Sequence, residues 1–271
     1  MRCFNGMVYK TYKLMDYKII SSFLIIVAHV FTGCSATRTN TVILTQQIQL
    51  PPEKSDVINR HYSHLVAVQD DIIRDYKIAH YTQEYVLKDT VRLGNTVPIF
   101  NWNLSVVGAC VNLNYSLFTS KNDDINEEMS ISGLVAHELA HAQHYSRFSK
   151  IELIRLGLRY ESYDKLLSNY KLAPWIRSYE RFTDLQAIAY GYANELIEQK
   201  RRTLQYIKEH ELGEDQFYEF SAYLTPKEIL LLSQDRELFT KKLEEELAVL
   251  KWSSFYEIAE EFPLDVTFSF K

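Results

Sequence analysis

His137-Glu138-Leu139-Ala140-His141 sets two imidazoles four residues apart, with a carboxylate beside the first. The stretch 130–145 around them spaces its apolar residues as a helix does. Four residues of helix turn through about 400° and rise about 6 Å, so both rings share one face and can chelate one Zn²⁺. Glu138 then stands where a carboxylate can take the proton of a water on the metal, whose pKa zinc lowers towards ~7. Attack of that water on a carbonyl is the chemistry such a pattern serves. A catalytic zinc takes three protein ligands and keeps one position open, so a third ligand must come from elsewhere in the chain.

His144 lies on the same face, but its seven-residue rise of about 10 Å from His137 keeps it from sharing one ion with both. It is left beside a ligand, on the substrate side or simply solvated, and solvation is the expectation. Ser178-Tyr179-Glu180-Arg181-Phe182-Thr183-Asp184 offers more, because Glu180 and Asp184 are four apart on one helix face. Glu180 is the expected third ligand. Asp184 is expected to accept a hydrogen bond from a ligand imidazole and fix its tautomer. Ala187, Ile188 and Gly191 continue that stripe, and the small residues Ala187 and Gly191 would let this helix come close to the HELAH helix. Tyr179, Arg181, Tyr190 and Tyr192 are nearby candidates to stabilise an oxyanion, but helical phase puts none on the Glu180 stripe, and no choice follows. Cys110 reads as a small strand residue rather than a ligand.

Taken together, HELAH and the Glu180-x-x-x-Asp184 helix resemble the gluzincin clan of zinc metallopeptidases, and their spacing is most similar to the HtpX/CAAX-prenyl-protease-like branch. The resemblance covers roughly 106–194. It implies a zincin-like metallopeptidase domain with one Zn²⁺ per chain, a protein or peptide substrate, His137, His141 and Glu180 as ligands, and Glu138 as general base. The metzincin pattern is excluded, because its Gly and third His would fall at His144 and Arg147. Members of the branch often span membranes many times, and the layout here is closer to that of their periplasmic, outer-membrane-associated relatives. In zincins the strand ahead of the metal helix binds extended substrate, a place that 109–117 matches.

The elements that must carry these residues are partly readable. From Asp56, Ile58, Leu65, Val68 and Ile72 follow helical spacing, and 85–93 is β-prone. Residues 106–118 alternate, with Ala109, Val111 and Leu113 on one face and Cys110, Asn112 and Asn114 on the other, as in a half-buried strand. An acidic loop, 121–128, feeds the metal helix with Asp124 and Glu127 as an approximate capping box. After Lys150 nearly everything reads as helix. Ser149 and Glu152 form a box, Pro174 opens a helix that Gly213 closes, and Thr225-Pro226-Lys227-Glu228 is a strong start signal. The class is α+β, with a small sheet in the first half and a mostly helical second half.

A chain of 271 residues with 46% hydrophobic and 24% charged residues, 8 Gly and 6 Pro is neither disordered nor collagen-like. Its 30 basic and 35 acidic residues remove the basic footprint of a nucleic-acid binder, and three Cys cannot make a disulfide framework. The first 33 residues are expected to be a lipoprotein signal peptide. Lys10, Lys13 and Lys18 precede an apolar run, 19–31, shorter than the about 20 residues a span needs. Phe31-Thr32-Gly33-Cys34 resembles a bacterial lipobox, with Cys34 lipidated; Met15 would serve as a start, and Ser35 resembles an outer-membrane sorting signal. Residues 34–54 read as a tether with Pro51-Pro52, 55–213 as the metallopeptidase domain, and 214–271 as a C-terminal helical extension.

The function expected is a zinc-dependent endopeptidase held by its lipid on the outer membrane of a bacterial envelope, facing the periplasm. The alternative is a non-proteolytic lipoprotein assembly factor or binding module that keeps a zincin fold and uses the helices after Gly213 as its surface. An intact Glu138 favours the enzyme, because a binding module gains nothing from a base beside the metal. A purely structural zinc is a third reading, disfavoured because closed sites take four protein ligands and favour Cys.

Overall fold

The computed structural model describes residues 65, 67–78, 82–88, 94–101, 105–114, 125–167, 174–209 and 222–264. The leader, Cys34, the tether, the start of the first helix, Asp124 and Gly213 lie outside the described residues. A short helix α1 at 67–75 precedes three strands, β1 (Thr82–Lys88), β2 (Gly94–Phe100) and β3 (Val106–Asn114). Helices follow: α2 (Ile125–Arg147), α3 (Lys150–Leu167), α4 (Pro174–Ala189), α5 (Ala193–Glu209), α6 (Pro226–Gln234), α7 (Arg236–Leu250) and α8 (Ser253–Glu260).

The sheet runs β1-β3-β2, with β1 parallel and β2 antiparallel to β3. Asn101 closes the β2–β3 connection, its side chain and backbone both meeting Ser105 at 3.0 Å. β2 is a strand that the residue pattern does not announce, since Gly94, Asn95 and Pro98 are poor strand formers. Among the described residues β2 is an edge strand, the place in a sheet where a proline such as Pro98 is tolerated. The central place of β3 corrects two expectations. Its Cys110, Asn112 and Asn114 face is buried as thoroughly as its Ala109, Val111 and Leu113 face, so the strand is not half-wet. Its backbone is also committed to neighbours on both sides, so β3 has no edge to offer an extended substrate.

α2 is the axis of the molecule. Every residue from Ser130 to Tyr145 is buried, with β2 and β3, α4, α5 and α8 around it. A helix covered on all sides shows little amphipathic contrast, which is why polar side chains can be spread around it if each finds a partner. Gly133 sets the distance to α5: a Cβ there would fall into the Glu195 backbone. That close approach was expected of Gly191, which has another task. Gly191 (φ 92) ends α4 in the left-handed region, with Gly191 N–H on Ile188 O and Tyr192 N–H on Ala187 O, both at 3.0 Å. The helix opened by Pro174 therefore stops there, and α5 turns back against α2 instead of continuing the same rod.

Two start signals hold as read. Ser149 N–H donates to Glu152 Oε2 at 2.7 Å, and Glu152 N–H reaches Ser149 Oγ at 3.3 Å. Thr225 and Glu228 complete a reciprocal box at 2.8 and 3.2 Å with Pro226 at the first turn. The last helices add Phe239, Leu250, Trp252, Phe255 and Phe262 to the same apolar cluster that holds Val135, Leu139, Tyr179 and Phe182. Phe255 is fully buried against Tyr179, Phe182 and His144, and truncating such a ring costs about 3–5 kcal/mol. No described helix is long and apolar enough to cross a membrane.

Candidate metal centre

α2 and α4 bring three donor atoms together. His137 Nε2 and His141 Nε2 each lie 3.3 Å from Glu180 Oε2. Among the described residues this buried group has ligand atoms within 4.8 Å of one another and can hold a metal ion.

The atoms behind the donors fix their roles. His137 Nδ1 is 2.8 Å from Asp184 Oδ1, so the ring donates its Nδ1 proton there and turns Nε2 inward. Asp184 is in turn held by Lys200 Nζ at 3.0 Å on Oδ1 and by Leu224 N–H at 2.9 Å on Oδ2. His141 Nδ1 meets the Tyr179 hydroxyl at 3.0 Å. Tyr160, on α3, donates its hydroxyl to Glu180 Oε1 at 2.6 Å and leaves Oε2 facing the imidazoles. Glu180 Oε2 is buried and makes no hydrogen bond. With both Nε2 atoms bare, three acceptors pointed at one another in a dry pocket repel unless a proton or a metal ion sits between them.

Charge leads to the same place. With the imidazoles neutral, as metal binding requires, Glu138, Glu180 and Asp184 are buried carboxylates against one buried ammonium, Lys200, an excess of two negative charges. A divalent ion balances that excess, and uncompensated buried charges cost several kcal/mol each. Burial pushes the His137 imidazole down, but the Asp184 and Glu180 carboxylates outweigh it and raise it to about 9. Burial likewise pushes Glu180 up, yet His141 and His137 hold it well below the ordinary carboxylate range. Asp184 is depressed against burial, chiefly by Lys200. The pocket favours positive charge at its centre.

Glu138 leaves α2 toward the sheet. Its Oε2 accepts the Thr96 hydroxyl at 2.6 Å, and its Oε1 occupies the space a side chain at Gly94 would fill. Tyr145 fixes β2 further by donating to Thr96 O at 2.9 Å. The arrangement sets a carboxylate, anchored by a strand, one residue along the helix from a candidate ligand.

His144 departs from expectation. It is fully buried, with Nε2 2.7 Å from Gln186 Oε1 and Nδ1 3.3 Å from the Tyr179 hydroxyl. Burial and the neighbouring His141 hold its pKa well below the ordinary value, so the ring is neutral. Of the four residues weighed for an oxyanion, Tyr179 stands behind His141. Tyr190 and Tyr192 donate to Glu261 O and Asp75 Oδ2, and Arg181 lies near Glu228 and Glu246. Tyr160, Thr96 and Lys200 were not singled out from the sequence, because each reaches the site from another element with no motif linking it to HELAH. Cys110 is buried with Ile99, away from the triad.

Comparison with known proteins returns no matching family model, curated protein or solved structure.

Proposed function

We propose that this protein is a zinc-dependent endopeptidase of the gluzincin kind, anchored to a bacterial envelope membrane through Cys34. The observation that carries the reading is the convergence of His137 Nε2, His141 Nε2 and a Glu180 Oε2 that makes no hydrogen bond, with Glu138 next along the helix. Two imidazoles and one carboxylate suit zinc better than calcium or magnesium, which prefer oxygen alone, and three ligands leave a position open for chemistry. Zinc there supplies a Lewis acid that polarises a carbonyl and makes water acidic near neutral pH.

The chain's own residues do the rest. Asp184 and Tyr179 hold the Nδ1 protons of His137 and His141, which keeps both Nε2 lone pairs available. Tyr160 occupies one oxygen of Glu180, so the other is presented alone. Glu138, steadied by the Thr96 hydroxyl, takes the proton of the attacking water as general base and returns it to the leaving amine. An extended substrate adds at β2, the edge strand whose Gly94 and Thr96 touch Glu138, rather than at β3.

The test is an assay of the purified protein on casein and a mixed peptide library. Cleavage is expected, lost on chelation and restored by Zn²⁺. A protein that carries about one zinc and cuts nothing would sink the enzyme reading. For the anchor, acyl labelling should disappear in Cys34→Ser, and labelling that persists removes it.

A further inference from the structure

The polar side chains behind His141 form a chain of hydrogen bonds whose direction is fixed from Gln143 through Gln186 to His144. Gln143 Nε2 donates to the Tyr76 carbonyl at 2.9 Å, so Gln143 turns its oxygen to Gln186 and accepts from Gln186 Nε2. Gln186 must then present Oε1 to His144, and a carbonyl oxygen at 2.7 Å from Nε2 requires the proton on that nitrogen. A neutral imidazole with Nε2–H has Nδ1 as its acceptor, and the group facing Nδ1 is the Tyr179 hydroxyl. The Tyr145 hydroxyl, whose own proton goes to Thr96 O, is a second acceptor beside Tyr179. With its proton given to either, Tyr179 has lone pairs left for His141 Nδ1, 3.0 Å away. That favours the His141 proton on Nδ1, against the pull of Glu180 Oε2, 3.3 Å from Nε2.

From this we infer that His144 is a positioning residue: through Tyr179 it sets the tautomer of His141 so that Nε2 faces the candidate metal site as a lone pair. Without an acceptor at His144, the Tyr179 hydroxyl loses one of its two acceptors and turns more readily to donate to His141 Nδ1. That would move the His141 proton to Nε2, the atom that must bind metal. Asp184 does the same office for His137 by charge, being a carboxylate that can only accept. Tyr179 can donate or accept, so it needs a further residue to decide. All four side chains, Gln143, His144, Tyr179 and Gln186, are buried.

The inference rests on His141 being a ligand, and the test separates the two. Tautomers are read by long-range ¹H–¹⁵N NMR of the histidine rings in the metal-free protein, and zinc affinity is read separately by chelator competition. His144→Phe keeps an aromatic ring among Phe148, Phe182 and Phe255 but has no acceptor. It should shift His141 toward Nε2–H and weaken zinc about 10–100-fold, the usual effect of losing a ligand's hydrogen-bond partner. His144→Asn restores an acceptor near the Nδ1 position and should recover most of both. Tyr179→Phe tests the same link without touching His144, and should weaken zinc by a similar factor. Adding His144→Phe to it should cost little more, because the link is already cut. Unchanged His141 tautomer and zinc affinity in His144→Phe overturn the inference, as does a His144→Asn variant no better than His144→Phe. If the native protein binds no zinc while the tautomer shift still occurs, the metal reading fails and the positioning role stands. Should His144→Phe not fold, the tautomer and affinity of Tyr179→Phe decide alone, an unchanged pair again overturning the inference.

Discussion

His137 is held at about 9 because Asp184 and Glu180 outweigh its burial. In the metal-free chain a raised pKa stabilises the fold below about pH 6.5, and that contribution is lost as pH rises through about 9. At pH 7 the ring carries an extra proton, and a metal must displace it. Zinc binding at pH 7 should therefore release about one proton from this ring, and apparent affinity should tighten about tenfold per pH unit up to about 9. Calorimetry in buffers of different ionisation enthalpy measures the proton count, and a count near zero would remove His137 from the ligand set. At this scale the sequence shows what a single helix face can show: His137, His141, Glu180 and Asp184 are four-residue pairs. His144 shares a face with the ligands too, but its role depends on Tyr179 and Gln186 from α4, which no spacing within α2 reveals. Lys200 and Tyr160 come from α5 and α3 and carry no local signature.

β2 and α2 meet at Gly94, where a Cβ would lie 2.9 Å from Glu138 Oε1 and 3.1 Å from Leu134 Cδ1. The glycine is a space for the carboxylate more than a turn. Gly94→Ala can be accommodated by swinging the end of Glu138 aside, so stability should change by less than ~1 kcal/mol and zinc should stay bound. Displacing a reacting group by about 1 Å can cost on the order of 10²-fold in rate. Peptide cleavage is expected to fall by about that factor, and a Gly94→Ala variant as active as the native protein would show that β2 does not position the base. The helices of the second half could be read from their ends, since Ser149 with Glu152 and Thr225 with Glu228 are reciprocal boxes that act within four residues. β2 could not be read, because its strand is imposed by β3 against the preferences of Gly94, Asn95 and Pro98. The break at Gly191 has no signature in the residue pattern for a related reason: a glycine in a helical run is a packing residue or a stop depending on its φ, and Gly191 sits at 92°.

The candidate site joins α2 to α4, and its supports come from β2, α3, α5 and the segment before α6, so a bound ion ties distant parts of the chain together. A ligand at about 1,000 times its Kd adds about 4 kcal/mol to folding. For a body of this size that is roughly 8–16 °C in Tm. Chelation should lower Tm by that order and zinc should restore it; a Tm indifferent to chelator would mean that no ion is held between α2 and α4. The C-terminal segment reaches the site from far along the chain: Leu224 N–H braces Asp184, and Phe255 packs on His144 and Tyr179. Long-range support of this kind is invisible to motifs, because it is made of ordinary aromatic and backbone groups. The most direct trial of zinc-dependent peptide hydrolysis is Glu138→Gln, measured for zinc content and peptide cleavage on the same preparation. Gln keeps the size and an oxygen but cannot take the proton, and general-base help is worth about 10²–10⁴-fold. The expected result is about one zinc per chain with cleavage reduced by at least 10²-fold, and a zinc-loaded Glu138→Gln that cleaves as fast as the native protein would overturn the role of Glu138 and with it the proposed mechanism.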